Sequence, residues 1–178
     1  MPVYVCHSCW AVHTDDWFDH EWALIHDHKT GEFHLERRGR REKPAKHVEC
    51  RVCKKSLWRH SVPTTIEGTF EVLDDPFRTV SEDEYGQLYF LGYDVNDKDM
   101  PLFAVPVDRD TAERIAQKVR EGYVIIKLVA GREKILVFGV SKERKSDEIT
   151  ARVMREGAKH APKKELDDEK KTGILAFT

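Results

Sequence analysis

All four cysteines of this 178-residue chain stand in two C-x2-C pairs, Cys6-His7-Ser8-Cys9 and Cys50-Arg51-Val52-Cys53. Each pair puts two thiolates on one tight turn, and two such turns supply the four soft ligands of a tetrahedral Zn2+ shell. A shell completed by protein leaves no position open for water or substrate, so it holds structure and does no chemistry. Disulfides or a redox C-x2-C are the competing readings. Against them, no cysteine is left over, and neither pair lies in the strand-helix unit of a redox motif. His13, His47 or His60 could replace a cysteine, but with four thiolates at hand there is no need.

A second chemistry is phosphate binding. Arg37-Arg38-Gly39-Arg40-Arg41 leads on to Lys43 and Lys46, and Lys54, Lys55, Trp58 and Arg59 follow the second cysteine pair. Guanidiniums on a glycine-jointed segment can each reach a phosphate, with counterion release favouring the contact. Trp58 offers a surface for stacking on a base. The plain alternative is a solvated loop with Trp58 packed under the knuckle. Charge distribution favours the first reading. Between Lys29 and Arg59 there are 11 Lys or Arg against 4 Asp or Glu, whereas Glu67 to Asp108 carries 2 against 11. The acidic segment 67–108 suits a basic protein partner and would repel nucleic acid.

The third group is histidine. Asp27-His28-Lys29-Thr30-Gly31-Glu32 predicts a hairpin across Trp22 to Arg37, with Gly31 left-handed after a type I turn. Pairing His28 with Glu32 and His26 with His34 puts Ala23, Ile25, Phe33 and Leu35 on one face. His26, His28, Glu32 and His34 then share the other, where the three imidazoles could hold a second metal for hydrolysis. An ordinary polar sheet face explains the same residues. No HExxH, P-loop, GxGxxG or GxSxG sequence is present, so nucleotide-driven and Ser-hydrolase chemistry have no foothold and the reading leans towards a non-enzyme.

The elements that carry these groups fall into three parts. Residues 1–62 form a metal module, 63–145 a β-rich domain, and 146–178 a short helix and charged tail. In the middle part, strands are predicted over Ile66–Leu73, Gln87–Val95 and Leu102–Val107. A helix capped by Asp108 or Asp110 runs to about Glu121, with Ala112, Ile115, Ala116 and Val119 on its apolar stripe. A hairpin through Gly131 joins Tyr123–Val129 to Ile135–Phe138. Asp147 to Glu156 suits a short helix. Residues 161–172 read as solvated, and Ile174-Leu175-Ala176-Phe177 as a small apolar segment. No apolar run reaches the roughly 20 residues of a membrane span, and a start directly into structure fits a reducing cytoplasm.

The two cysteine turns with an intervening hairpin resemble a zinc ribbon, a family that commonly binds DNA, RNA or other proteins. The likeness covers residues 3–58 and implies Cys6, Cys9, Cys50 and Cys53 as ligands. Ribbons often place glycine after the second cysteine of each turn; here Trp10 and Lys54 stand there. The order strand, strand, strand, helix, strand, strand over residues 66–140 resembles the OB-fold, a five-stranded, partly open barrel. The fold expected is therefore β-rich α+β: a zinc ribbon with a hairpin insert, then a small OB-like barrel with one helix. Function follows as a zinc-stabilised nucleic-acid-binding protein, with barrel aromatics such as Tyr89 or Phe103 offered to single strands. An interaction or assembly factor is the alternative, since a ribbon before an OB-like domain also resembles accessory subunits of acyl-CoA-processing enzymes. A metal-dependent hydrolase on the histidine face is the third.

Overall fold

The structure, a computed structural model, describes residues 2–41 and 47–160. Lys43, Lys46, the tail 161–172 and the apolar Ile174–Phe177 lie outside the described residues. Chain order begins β1 (Val3–Val5), β2 (Val12–His13), α1 (Asp15–Asp19), β3 (His20–His26) and β4 (Phe33–Arg40). β5 (His47–Glu49), β6 (Ser56–Trp58) and β7 (Ser61–Val62) complete the first part. Each cysteine turn is the bend of a short antiparallel hairpin, β1–β2 for the first and β5–β6 for the second. β7 returns along the free side of β1. Val3–Val5 and His47–Glu49 lead into the two turns, and among the described residues the insert β3–β4 pairs only with itself.

The second part runs β8 (Gly68–Val72), β9 (Val80–Glu82), β10 (Leu88–Asp94), β11 (Leu102–Val107), α2 (Arg109–Arg120), β12 (Ile125–Ala130) and β13 (Ile135–Ser141). α3 (Lys145–His160) follows, longer than the helix expected there. The sheet is antiparallel throughout with order β11-β10-β8-β12-β13, and β9 lies beside the first half of β10. Among the described residues no ladder joins β11 to β13, so the sheet stays open and no closed barrel forms. The β-rich α+β class holds.

Local sequence explains these elements. Asp108 caps α2 by accepting the Thr111 N–H at 2.8 Å, and Gly122 ends it at a positive φ. Gly131 closes the β12–β13 turn, donating its N–H to the Lys134 carbonyl; a Cβ there would meet that oxygen at 2.5 Å. α2 lays Ala112 and Ile115 over a core of Phe70, Val72, Phe90, Val105, Ile126 and Leu128. The apolar interior does not stop after Val62. Val3, Val5, Val12 and Val62 pack in one cluster with Leu73, Leu91 and Ala104 of the following sheet region. Tyr89 belongs to that cluster, buried with its hydroxyl on Asp83, and Phe103 is packed against the main core. Neither is the exposed aromatic expected.

The hairpin register differs from the expected one by a residue. Asp27 pairs with Glu32, His26 with Phe33, Ile25 with His34 and Leu24 with Leu35. The cause is the turn. The Asp27 carboxylate accepts the Lys29 N–H at 2.9 Å, so the bend starts at Asp27 and the loop takes four residues instead of three. Gly31 is left-handed, as expected, at φ 76°. His26 now stacks on Phe33 with ring centroids 4.6 Å apart, a cross-strand contact that the other register would break.

Candidate metal centre

The two cysteine turns are built alike, bond for bond. In the first, Trp10 N–H donates to the Cys6 carbonyl (2.7 Å) and Cys6 N–H to the Ala11 carbonyl (2.9 Å). In the second, Lys54 donates to Cys50 (3.1 Å) and Cys50 to Lys55 (2.9 Å). Both turns bend through a left-handed residue, Trp10 and Lys54, each at φ 65°. The conformation that would favour glycine is therefore kept without it. Val52 N–H also points at Cys50 Sγ, 3.4 Å away.

This geometry brings the four sulfurs together. Cys6 Sγ lies 3.7 Å from Cys53 Sγ, Cys9 Sγ lies 3.6 Å from Cys50 Sγ, and all four fall within 4.8 Å of one another. A disulfide needs about 2 Å. A tetrahedral shell with metal–sulfur bonds of about 2.3 Å sets its sulfurs about 3.8 Å apart. The four cysteines are thus free thiols positioned to hold a metal ion. Burial pushes the Cys9 thiol up to about 12 and raises that of Cys50, while an N–H from Lys55 draws Cys53 down to about 7. Burial thus makes Cys9 and Cys50 resist ionising, and a central cation would reverse that balance.

Among the described residues, no histidine joins this shell. Among the described residues, the cysteines form the one group of metal-ligating side chains whose donor atoms converge. His13 is fully buried against Trp17 and Phe18, both ring nitrogens without a hydrogen-bond partner among the described residues, and burial followed by the Arg51 charge lowers its pKa to about 3. His60 stacks on Trp58. On the hairpin, the observed register sends His34 to the face opposite His26, so the expected convergence of His26, His28 and His34 is not formed. A hydrolytic second metal loses its geometric basis there.

The cationic residues separate into engaged and open groups. Arg59 lies between Asp19 (2.8 Å) and Asp15 (3.5 Å), with its guanidinium over the Tyr4 and Phe18 rings, so it pins α1 to the module. Arg37 is 3.4 Å from Asp16. Arg38, Arg40, Lys54 and Lys55 are exposed and form no ion pair among the described residues. The fold also closes the distance between the two basic stretches. Arg41 N–H donates to the Asp19 carbonyl at 2.7 Å, and the Asp19 carboxylate is the one that holds Arg59, next to Trp58. Trp58 is 49% exposed, while its neighbour Leu57 fills the core position under the knuckle.

Sequence reasoning missed the bonds that tie the metal turns to the sheet. Arg51 donates to the Glu82 and Val12 carbonyls, Arg78 to the Cys9 carbonyl at 3.0 Å, and Thr14 hydroxyl to Glu84. α1 was missed too, although Thr14-Asp15-Asp16 is a helix-start signal. The Thr14 hydroxyl goes to Glu84 and makes no cap bond. No family model, curated protein or solved structure matches this chain.

Proposed function

We propose that this chain is a non-enzymatic nucleic-acid-binding protein stabilised by zinc. Four thiolates with tetrahedral spacing favour a soft, geometrically undemanding ion, which supports Zn2+ among divalent metals. The metal would hold the two turns and take no part in chemistry. The observation that carries the binding reading is the junction at Asp19, where the arginine strand meets the segment of Trp58. Two basic stretches distant in sequence adjoin there, and their exposed members Arg38, Arg40, Lys54 and Lys55 have no carboxylate neutralising them among the described residues. On this reading they grip phosphates, and Trp58 stacks on a base. The open antiparallel sheet serves as an OB-like support, held to the module by the shared valine cluster.

Binding of the metal-loaded protein to single- and double-stranded DNA and RNA, over a salt series, tests this. Wild type should lose affinity steeply as salt rises. Changing Arg38, Arg40, Lys54 and Lys55 to Ala should flatten the log K against log[salt] slope by about two to four for duplex DNA. No salt-dependent binding to any nucleic acid would sink the reading. That result would promote an interaction or assembly factor, which one observation favours: Phe77 is 86% exposed beside Asp74 and Asp75 in the acidic segment.

A further inference from the structure

The observed hairpin register sorts charge. Trp22, Leu24, Phe33 and Leu35 share a face with Arg37 and Arg40, because Trp22 pairs with Arg37, Leu24 with Leu35, His26 with Phe33 and His20 with Arg40. The other face carries Glu21 and Glu36 with Ala23, Ile25 and His34, and the Asp27–Glu32 pair continues it. All four carboxylates between residues 20 and 41 therefore lie off the first face. From Arg37 to the tip that face is apolar or basic and largely open: Leu24 is 65% exposed, Phe33 64% and Leu35 39%. At its base Asp16 engages Arg37 and His20, and Arg40 has no ion pair among the described residues. Arg38 stands at the bulge between the Trp22–Arg37 and Glu21–Gly39 pairs, without a cross-strand partner.

Apolar groups exposed on a face to which the hairpin itself contributes no carboxylate suit a partner that is negative at its rim and apolar within. The major groove of duplex DNA has that character, with phosphates along its edges and thymine methyls on its floor. It is about 12 Å wide and admits a two-stranded ribbon, whereas the deep, narrow groove of A-form RNA does not. We infer that the β3–β4 hairpin is a recognition arm that enters the DNA major groove. Arg38 and Arg40 sit on phosphates at its edge, and Leu24, Phe33 and Leu35 pack against thymine methyls.

This inference rests on the nucleic-acid reading, and its test separates the two. Full-length, metal-loaded protein is titrated with A·T-rich duplexes of one sequence, carrying either thymine or deoxyuridine. Each contacted methyl removed should weaken wild-type binding about fourfold. Phe33→Ser and Leu24→Ser, both at exposed positions, should each reduce that discrimination with the salt slope unchanged. Equal affinity for the two duplexes, with salt dependence intact, overturns the arm and leaves the wider reading standing. Absence of any salt-dependent binding overturns both. A wild-type dimer that Phe33→Ser converts to monomer in sedimentation would mean a second copy covers this face, which also overturns the arm.

Discussion

The metal module and the sheet solve the same problem with different means. Between α2 and the sheet the buried residues are aromatic or branched except for Ala112: Phe70, Phe90, Ile115 and Ile126 set the spacing between the layers. The cysteine module has far less to bury. Its own cluster is Phe18, Val48, Leu57 and Ala11, completed by Cys6 and Cys50. Where apolar side chains are scarce, four thiols positioned to hold a cation offer the closure that packing supplies elsewhere. The valine cluster between them belongs to both, so neither should respond to damage in complete isolation.

Breaking the metal shell should have the largest effect. A structural zinc contributes on the order of 10 kcal/mol to the folding of a small module. Cys50→Ser, or a strong chelator, should melt residues 1–62. All four tryptophans lie there, so their fluorescence reports the loss directly. Hydrogen exchange should then show protection retained at Ile115 and Ile126 and reduced at Leu91 and Ala104, which touch the module. Simultaneous loss at all four would mean that the two regions are one cooperative unit. A wild-type protein of full stability without metal would show that the thiols need no ion.

The reverse experiment attacks the packed region. Phe90 is fully buried, with its ring edge-on to Phe70 at 5.8 Å. Phe90→Ala should cost about 3 to 5 kcal/mol, seen in denaturant titration by far-ultraviolet dichroism. Metal content per chain should stay at the wild-type value if the thiol shell is assembled by its turns. Loss of metal along with sheet stability would show that the valine cluster, and not the turns, positions the sulfurs.

This contrast also decides what could be read in advance. The four-thiol cluster was legible because C-x2-C spacing is a local rule, and so were α2, announced by Asp108 and Gly122, and β11. The hairpin register was not, because two local signals competed. Hydrophobic alternation favoured one pairing, and the Asp27 carboxylate bonding to Lys29 N–H imposed the other. The alternation rule assumes a buried face, yet every residue of β4 is exposed, so it had no force there. Pairing over distance was equally hidden. Nothing local says that Arg59 will be taken by Asp19, or that Arg41 will reach the same residue. Nor does strand order show that β11 and β13 stay apart.

The smallest effect tests whether the two cysteine turns, alike in backbone, are alike in energetics. A left-handed non-glycine residue costs about 1 kcal/mol or somewhat more, and glycine removes that cost while losing more backbone entropy on folding. At Lys54 the side chain is exposed, so Lys54→Gly should stabilise the module, by less than about 1 kcal/mol. Trp10 has the same φ but packs against the shared valine cluster, so Trp10→Gly should destabilise. Thermal melts of both variants with metal bound give the comparison. Opposite signs would show that the backbone demand is equal and that packing decides which residue stands there. If Lys54→Gly also destabilised, the left-handed conformation at the second turn would carry no strain, and the lysine itself would be holding the turn.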